Sequence, residues 1–270
     1  MPRQYASLRM TLRLLALHVG LLALGWYCGW PWAVVGSLGV WIAVTYGSLY
    51  PHCRLFGEAI RCFPTSERTV ILTIDDGPCA DTEEILRLLA AHQARAVFFL
   101  IGERALQRPD DVRRIVAAGH LIGNHTHTHP AHAYWSFPPW LQRREVARCQ
   151  QALTTITGVQ PRLFRAPVGM RNPYCNHIAG EFSLQVVGWQ ARGFDGVTNP
   201  MEKIIATIRR GLCPGAIVVM HQGLPHSPEV LRRTLAMLEE DDWTPTLPDA
   251  WLADVRELEA SCAGRPPASY

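Results

Sequence analysis

A chain of 270 residues carrying a net charge of only +3 has room for one sizeable domain plus a membrane segment. Its basic residues are scattered rather than gathered into an aromatic-laced patch, which argues against a nucleic-acid partner. The eight cysteines include no CxxC pair, so neither a zinc ribbon nor a dithiol redox motif is present. Free thiols are the expectation, with a small Cys53–Cys62 loop as the alternative in an oxidising space.

The N-terminal segment departs from a soluble protein. Between Arg13 and Arg54 there is no Asp, Glu, Lys or Arg. A signal peptide has an apolar core of roughly 7–15 residues, and one membrane span needs about 20. This stretch exceeds both. Residues 1–50 therefore read as a membrane segment, most simply two short spans joined by a tight hairpin at Pro31 with Trp30 and Trp32 at an interface. One span plus an interfacial helix, or a buried soluble hairpin, are the alternatives. Basic residues flank both ends (Arg3, Arg9 and Arg13 before; Arg54, Arg61 and Arg68 after), so a hairpin keeps the following domain cytoplasmic and a single span exports it. Residues 51–68 read as a linker, 69–250 as the catalytic domain and 251–270 as a C-terminal tail.

Strand and helix patterns then alternate. Val70–Ile74 is an apolar, β-branched run too short for a helix. Asp81 with Glu84 reads as a capping box opening the next helix. Ala96–Ile101 is a strand, and Pro109 and Gly119 bracket a second helix. A short strand at Leu121-Ile122 precedes a long helix from Pro139 to Gly158. Strands follow at Leu163–Arg165, Gln185–Trp189 and Ala216–Met220, with a short helix after the first and helices at Met201–Arg210 and Pro228–Glu239. Repeated β–α units imply a parallel sheet, most simply closed into a barrel.

The polar clusters fall at strand ends, where such folds place their chemistry. Asp75 and Asp76 precede Gly77-Pro78, and neighbours on a strand point to opposite faces, so the two acids suit two jobs, or they form the turn. His125 and His129, four apart, would share one face of a helical turn and suit two imidazole ligands of one metal, while His127 points away. A solvated polar loop is the alternative. Two histidines and one carboxylate would leave open positions on zinc. Arg165 could grip a carboxylate with both arms of its fork, and a backbone N–H beyond Pro167 could meet an oxyanion; a surface ion pair is the bland alternative. Trp189 and Asp195 mark a fourth strand end, and His221 a fifth; alone, each suits a packed residue as well as a catalytic one.

In this order and spacing, from about Thr69 to Glu240, the five segments resemble the polysaccharide deacetylases, the NodB-homology or carbohydrate esterase family 4 group. The resemblance implies a distorted (β/α) barrel of that type, here preceded by the transmembrane helical hairpin. It implies Asp75 as general base, Asp76, His125 and His129 as ligands of a divalent metal, most simply Zn2+, and Arg165 as the arginine positioning the base. The Val168 amide stands at the oxyanion donor, His221 at the general acid, and Val219 at the acetyl-methyl pocket beside Trp189. Two positions depart from the family pattern. Val168 replaces a usual Tyr, and Arg192 replaces an acid that can tune the catalytic His, leaving Asp195 for that role and Arg192 for an anionic group such as a substrate phosphate.

The resulting expectation is a metal-dependent hydrolase at the bacterial inner membrane that removes an N-acetyl group from a glycan or lipid-linked sugar. An O-acetyl esterase and an inactive membrane scaffold are the competing expectations; the retained Asp75, Asp76, His125, His129 and His221 argue against the second.

Overall fold

The computed structural model describes residues 4–197 and 200–252. Cys262 and the tail expected beyond Leu252 lie outside the described residues. Helix α1 (Gln4–Cys28) and helix α2 (Trp30–Leu49) meet at Gly29, whose φ of 104° suits a residue without a side chain. The reversal thus sits at Gly29, and Pro31 occupies the first turn of α2 rather than the bend itself. Small residues let the two helices approach: a Cβ on Gly25 would meet Ala33, and one on Gly36 would meet Leu21. By length and composition α2 can cross a membrane. Leu15, Leu22, Val35, Leu38 and Trp41 stay exposed along the pair, with Trp26, Trp30 and Trp32 at its tip.

The sequel runs β1 (Thr69–Gly77), α3 (Thr82–Ala91), β2 (Ala96–Leu100), α4 (Gly102–Gln107), α5 (Pro109–Ala117) and β3 (Leu121–Asn124). It continues through α6 (Pro139–Thr157), β4 (Leu163–Phe164), α7 (Cys175–Glu181), β5 (Gln185–Val186) and β6 (Ala191–Arg192). It ends with α8 (Met201–Gly211), β7 (Ala216–His221), α9 (Ser227–Glu240) and β8 (Thr244–Pro245). Asp81 stands before α3 but forms no capping bond; it accepts the Gly223 amide, while Thr82 Oγ1 takes the Cys79 amide.

All strand pairs are parallel, in the order β5-β4-β3-β2-β1-β7-β6, with β8 against the first residues of β1. The sheet curls into a half-barrel rather than closing strand to strand. The expected strand at Gln185–Trp189 pairs for only two residues as β5, and among the described residues β5 and β6 do not pair. The segment read as a linker spans that gap instead. The Ile60 amide donates to Val186 and its carbonyl accepts from Gly188, while the amides of Phe63 and Ile217 bond Gly215 and Arg61. A short strand cannot satisfy its neighbour's backbone, so an extended segment from elsewhere in the chain does so.

Strand alternation sorts the core. Leu72, Ile74, Phe98, Leu100, Val218 and Met220 pack against the helices. Ile71, Val97, Phe99, Leu121, Leu163 and Ile217 fill the inside, together with Trp251, whose indole meets Phe63 edge-on at 4.7 Å. The first residue expected in the tail is therefore part of the core. Further along the same inner faces come Thr73, Asp75 and His221, so the interior is apolar at one end and polar at the C-terminal mouth. The Cys62 sulfur faces Cys213 at 3.8 Å rather than Cys53, and all described cysteines are free thiols.

Trp251→Ala should lower the stability of the detergent-solubilised chain by about 3 kcal/mol, since a large buried aromatic would leave a cavity. Urea unfolding followed by tryptophan fluorescence checks this, and an unchanged midpoint would remove Trp251 from the core.

Candidate active site

Two acids end β1. Strict alternation would send them to opposite faces, but the ladder with β2 shifts between Asp75 and Gly77, and Asp76 adopts a left-handed φ of 70°. Both carboxylates consequently reach one mouth. His125 Nε2 lies 3.9 Å from Asp75 Oδ2 and 3.4 Å from Asp76 Oδ1.

The histidine segment is a loop, not the helical turn expected. Thr126 and His129 have φ values of 68° and 53°, and these left-handed residues fold the loop back on itself. Side chains from elsewhere hold it. Asn124 Oδ1 accepts the Thr126 amide, and Glu145 Oε2 on α6 accepts the amides of His127 and Thr128. His127 is buried beside Gly102, away from its two neighbours, as expected.

Asp76, His125 and His129 offer ligand atoms all within 4.8 Å of one another. His125 Nδ1–H donates to the Arg165 carbonyl at 2.8 Å, so its Nε2 lone pair faces the carboxylates. Burial, aided by His125, pushes the His129 imidazole down to about 4 and keeps it neutral. Burial opposes ionisation of Asp76, but the imidazoles of His125, His129 and His221 more than offset this and hold its carboxyl below the usual range. Asp76 Oδ1 is buried with no hydrogen-bond partner. An ionised oxygen without a hydrogen-bond partner, beside two imidazole nitrogens, fits a divalent cation.

Arg165 is fully buried. Its Nη1 donates to Asp75 Oδ1 at 2.6 Å and to Thr73 Oγ1 at 2.7 Å, and its Nη2 donates to the Gly188 carbonyl at 2.7 Å. The guanidinium also lies 4.2 Å over the Phe99 ring. The two-armed grip on a carboxylate is not formed. One arm holds Asp75 and the other holds backbone, because Gly188 presents a carbonyl where the second arm points.

On the adjacent strand β7, His221 stands in register with Asp75. Asp195 is buried and uses both oxygens on this residue: Oδ1 accepts from Nδ1–H at 2.9 Å and Oδ2 from the backbone amide at 2.8 Å. Burial disfavours the His221 charge, but Asp195, with Asp75 and Asp76 behind it, outweighs this and raises its pKa to about 9. Val219 is buried between Thr73 and Arg192 in the ladder. Val168 has a left-handed φ of 55°, and among the described residues its amide has no hydrogen-bond partner. A Cβ on the next residue, Gly169, would meet the Trp189 ring, so the turn lies against that indole. Arg192 stacks over Trp189 at 5.1 Å and Phe194 at 4.8 Å.

Sequence reasoning passed over Thr73 and Glu145. Thr73 sits two residues before Asp75, so alternation alone puts it on the same inner face. Glu145 lies in the buried stripe Gln142, Glu145, Val146, Cys149 of α6, and an acid at helical spacing among core positions is the signal that could have found it.

Residues 63–187 match the family model described as polysaccharide deacetylase. The chain is 32% identical over 178 residues to a chitooligosaccharide deacetylase of Bradyrhizobium sp. (strain ANU 289), covering 60% of this chain and 74% of that protein. It is 31% identical over 166 residues to a peptidoglycan-N-acetylglucosamine deacetylase of Bacillus cereus, covering 58% and 57% respectively. Among solved structures, a family 4 carbohydrate esterase from Streptomyces lividans in complex with acetate superposes with a TM-score of 0.61 at 29% identity, over 66% of this chain and 92% of that one.

Asp195→Asn removes the charge that raises the His221 pKa, so the imidazole should lose its proton at lower pH. If a protonated His221 is needed, the alkaline limb of the kcat/KM profile should move down by about one to two pH units. An unmoved limb would show that His221 does not set it.

Proposed function

The chain belongs to the polysaccharide deacetylase family, and we propose that it hydrolyses the N-acetyl amide of an amino sugar in a glycan. The observation that carries this reading is one mouth holding a carboxylate on an arginine and, beside it in the ladder, a histidine on a carboxylate, next to a trio that fits a cation. A divalent ion held by Asp76, His125 and His129, zinc by this mix of nitrogen and oxygen donors, would acidify water and polarise the acetyl carbonyl.

The protein's own groups then divide the work. Asp75 takes a proton from the attacking water, and Arg165 keeps it aimed. The Val168 amide donates to the carbonyl oxygen as that oxygen gains charge. His221 protonates the nitrogen as the C–N bond breaks, so acetate and a free amine leave. Val219 and Trp189 border the space for the acetyl group. The same reading anchors the chain in the cell membrane through α2, with α1 as a second span beside it.

Purified protein with zinc should release acetate from N-acetylglucosamine oligomers, and a chelator should abolish the release. Chelator-insensitive release would overturn the metal assignment. Asp75→Asn should keep bound metal while kcat falls by roughly 10²–10⁴-fold; full turnover would remove Asp75 as the base. His129→Ala should lose metal, measured directly by elemental analysis, and full occupancy would break the ligand trio.

A further inference from the structure

The segment between α2 and the catalytic half-barrel is more basic and more enclosed than a linker requires. Immediately after α2, His52, Arg54, Glu58, Arg61 and Arg171 line an open cleft. A second cavity shares Pro51, His52 and Arg171 with the first and continues to Gly188 and Trp189. Gly188 is the residue whose carbonyl holds Arg165, so the two cavities run from the end of the membrane helix to the wall of the catalytic mouth.

The arginines in this passage outnumber its one carboxylate, Glu58. Arg171 is only 4% exposed, and its guanidinium bonds the carbonyls of Gly57, Pro51 and Cys53 and the Asn176 side chain, with no carboxylate. Arg61 Nη1 donates to His52 Nδ1 at 2.7 Å. That bond makes the imidazole an acceptor, and burial together with Arg61, Arg171 and Arg192 lowers its pKa and keeps it neutral. Beyond the shared Trp189 wall, Arg192 lies flat between two aromatic rings, and its buried Nε has no hydrogen-bond partner. None of Arg54, Arg61, Arg171 or Arg192 makes an ion pair with a carboxylate among the described residues. Guanidinium groups that make no ion-pair contact leave charge for an anion to complete, and their planar donors match phosphate oxygens.

We propose that this passage seats a phosphate, and that the substrate is an N-acetylated sugar joined through phosphate to a membrane lipid. His52 follows the end of α2 by three residues, so with α2 in the membrane the arginines stand at headgroup level, where a lipid-linked phosphate lies. The sugar on that phosphate then extends past Trp189 toward Asp75 and His221. The inference rests on the deacetylation reading above and supplies its substrate class.

The test uses the full chain in detergent micelles and compares binding of N-acetylglucosamine, N-acetylglucosamine 1-phosphate and the dodecyl ester of that phosphate by calorimetry. The phosphate should bind at least about tenfold tighter than the neutral sugar, and the alkyl ester tighter still. Arg61→Gln and Arg192→Gln should each shrink the ratio of phosphate to neutral-sugar affinity. Two variants on opposite sides of Trp189 guard against one that fails to fold. Equal affinity for charged and neutral sugars, or a preference untouched by both substitutions, would overturn the phosphate site. A phosphate preference without gain from the alkyl chain would identify a soluble sugar phosphate and overturn the lipid-linked part. Acetate release from neutral oligomers, measured in parallel, separates the two readings. Release without phosphate preference sinks only this inference, whereas phosphate binding with no release from any of these compounds sinks the deacetylation.

Discussion

The buried pair between Arg165 and Asp75 is the interaction on which the rest of the mouth depends. A fully buried guanidinium is tolerable only if its donors are used and its charge is met, and here Asp75, Thr73, Gly188 and the Phe99 face do both. The contacts tie the end of β1 to the segment after β4 and to the turn after β5. They also fix a second relation, because the Arg165 carbonyl accepts from His125. One residue thus orients a carboxylate with its side chain and a candidate metal ligand with its backbone. Breaking the pair from either side would strand a buried charge, an effect on the order of 3–5 kcal/mol.

Four histidines near this mouth show how surroundings decide what one side-chain type can do. His125 has one ring nitrogen committed to a carbonyl and the other facing carboxylates. His129 is held neutral by burial and a neighbouring imidazole, which suits metal ligation. His221 is half-buried, yet Asp195 reverses the outcome and keeps it charged at neutral pH, which suits proton donation. His127 lies between the ligand pair in sequence, but its segment is held by Glu145 and its ring packs by Gly102. The replacement of a family acid by Arg192 does not leave His221 without a carboxylate, since Asp195 supplies one through both of its oxygens.

The half-barrel also explains why the segment after α2 matters to the domain that follows. With β5 and β6 too short to meet, Ile60 to Phe63 supply the backbone partners in the gap, and Trp251 fills the inside from the other terminus. The chain leaving α2 is therefore built into the wall that carries Gly188 and Trp189.

Much was legible in the sequence because it rests on local rules. The β–α alternation follows from residue periodicity, and the boundaries of α5, α6 and α9 follow from Pro and Gly at their ends. The grouping of Asp75, Asp76, His125, His129, Arg165 and His221 follows from their place at strand ends, which such folds bring to one mouth. What the sequence could not determine involves distant partners or backbone that no local pattern favours. Asp195 meets His221 across 26 positions and Arg165 meets Asp75 across 90, separations at which only packing decides contact. The left-handed Asp76, Thr126, His129 and Val168 disfavour themselves locally and persist because surrounding bonds hold them. Periodicity is a property of neighbours, whereas the shape of this mouth is set by residues that become neighbours only after folding.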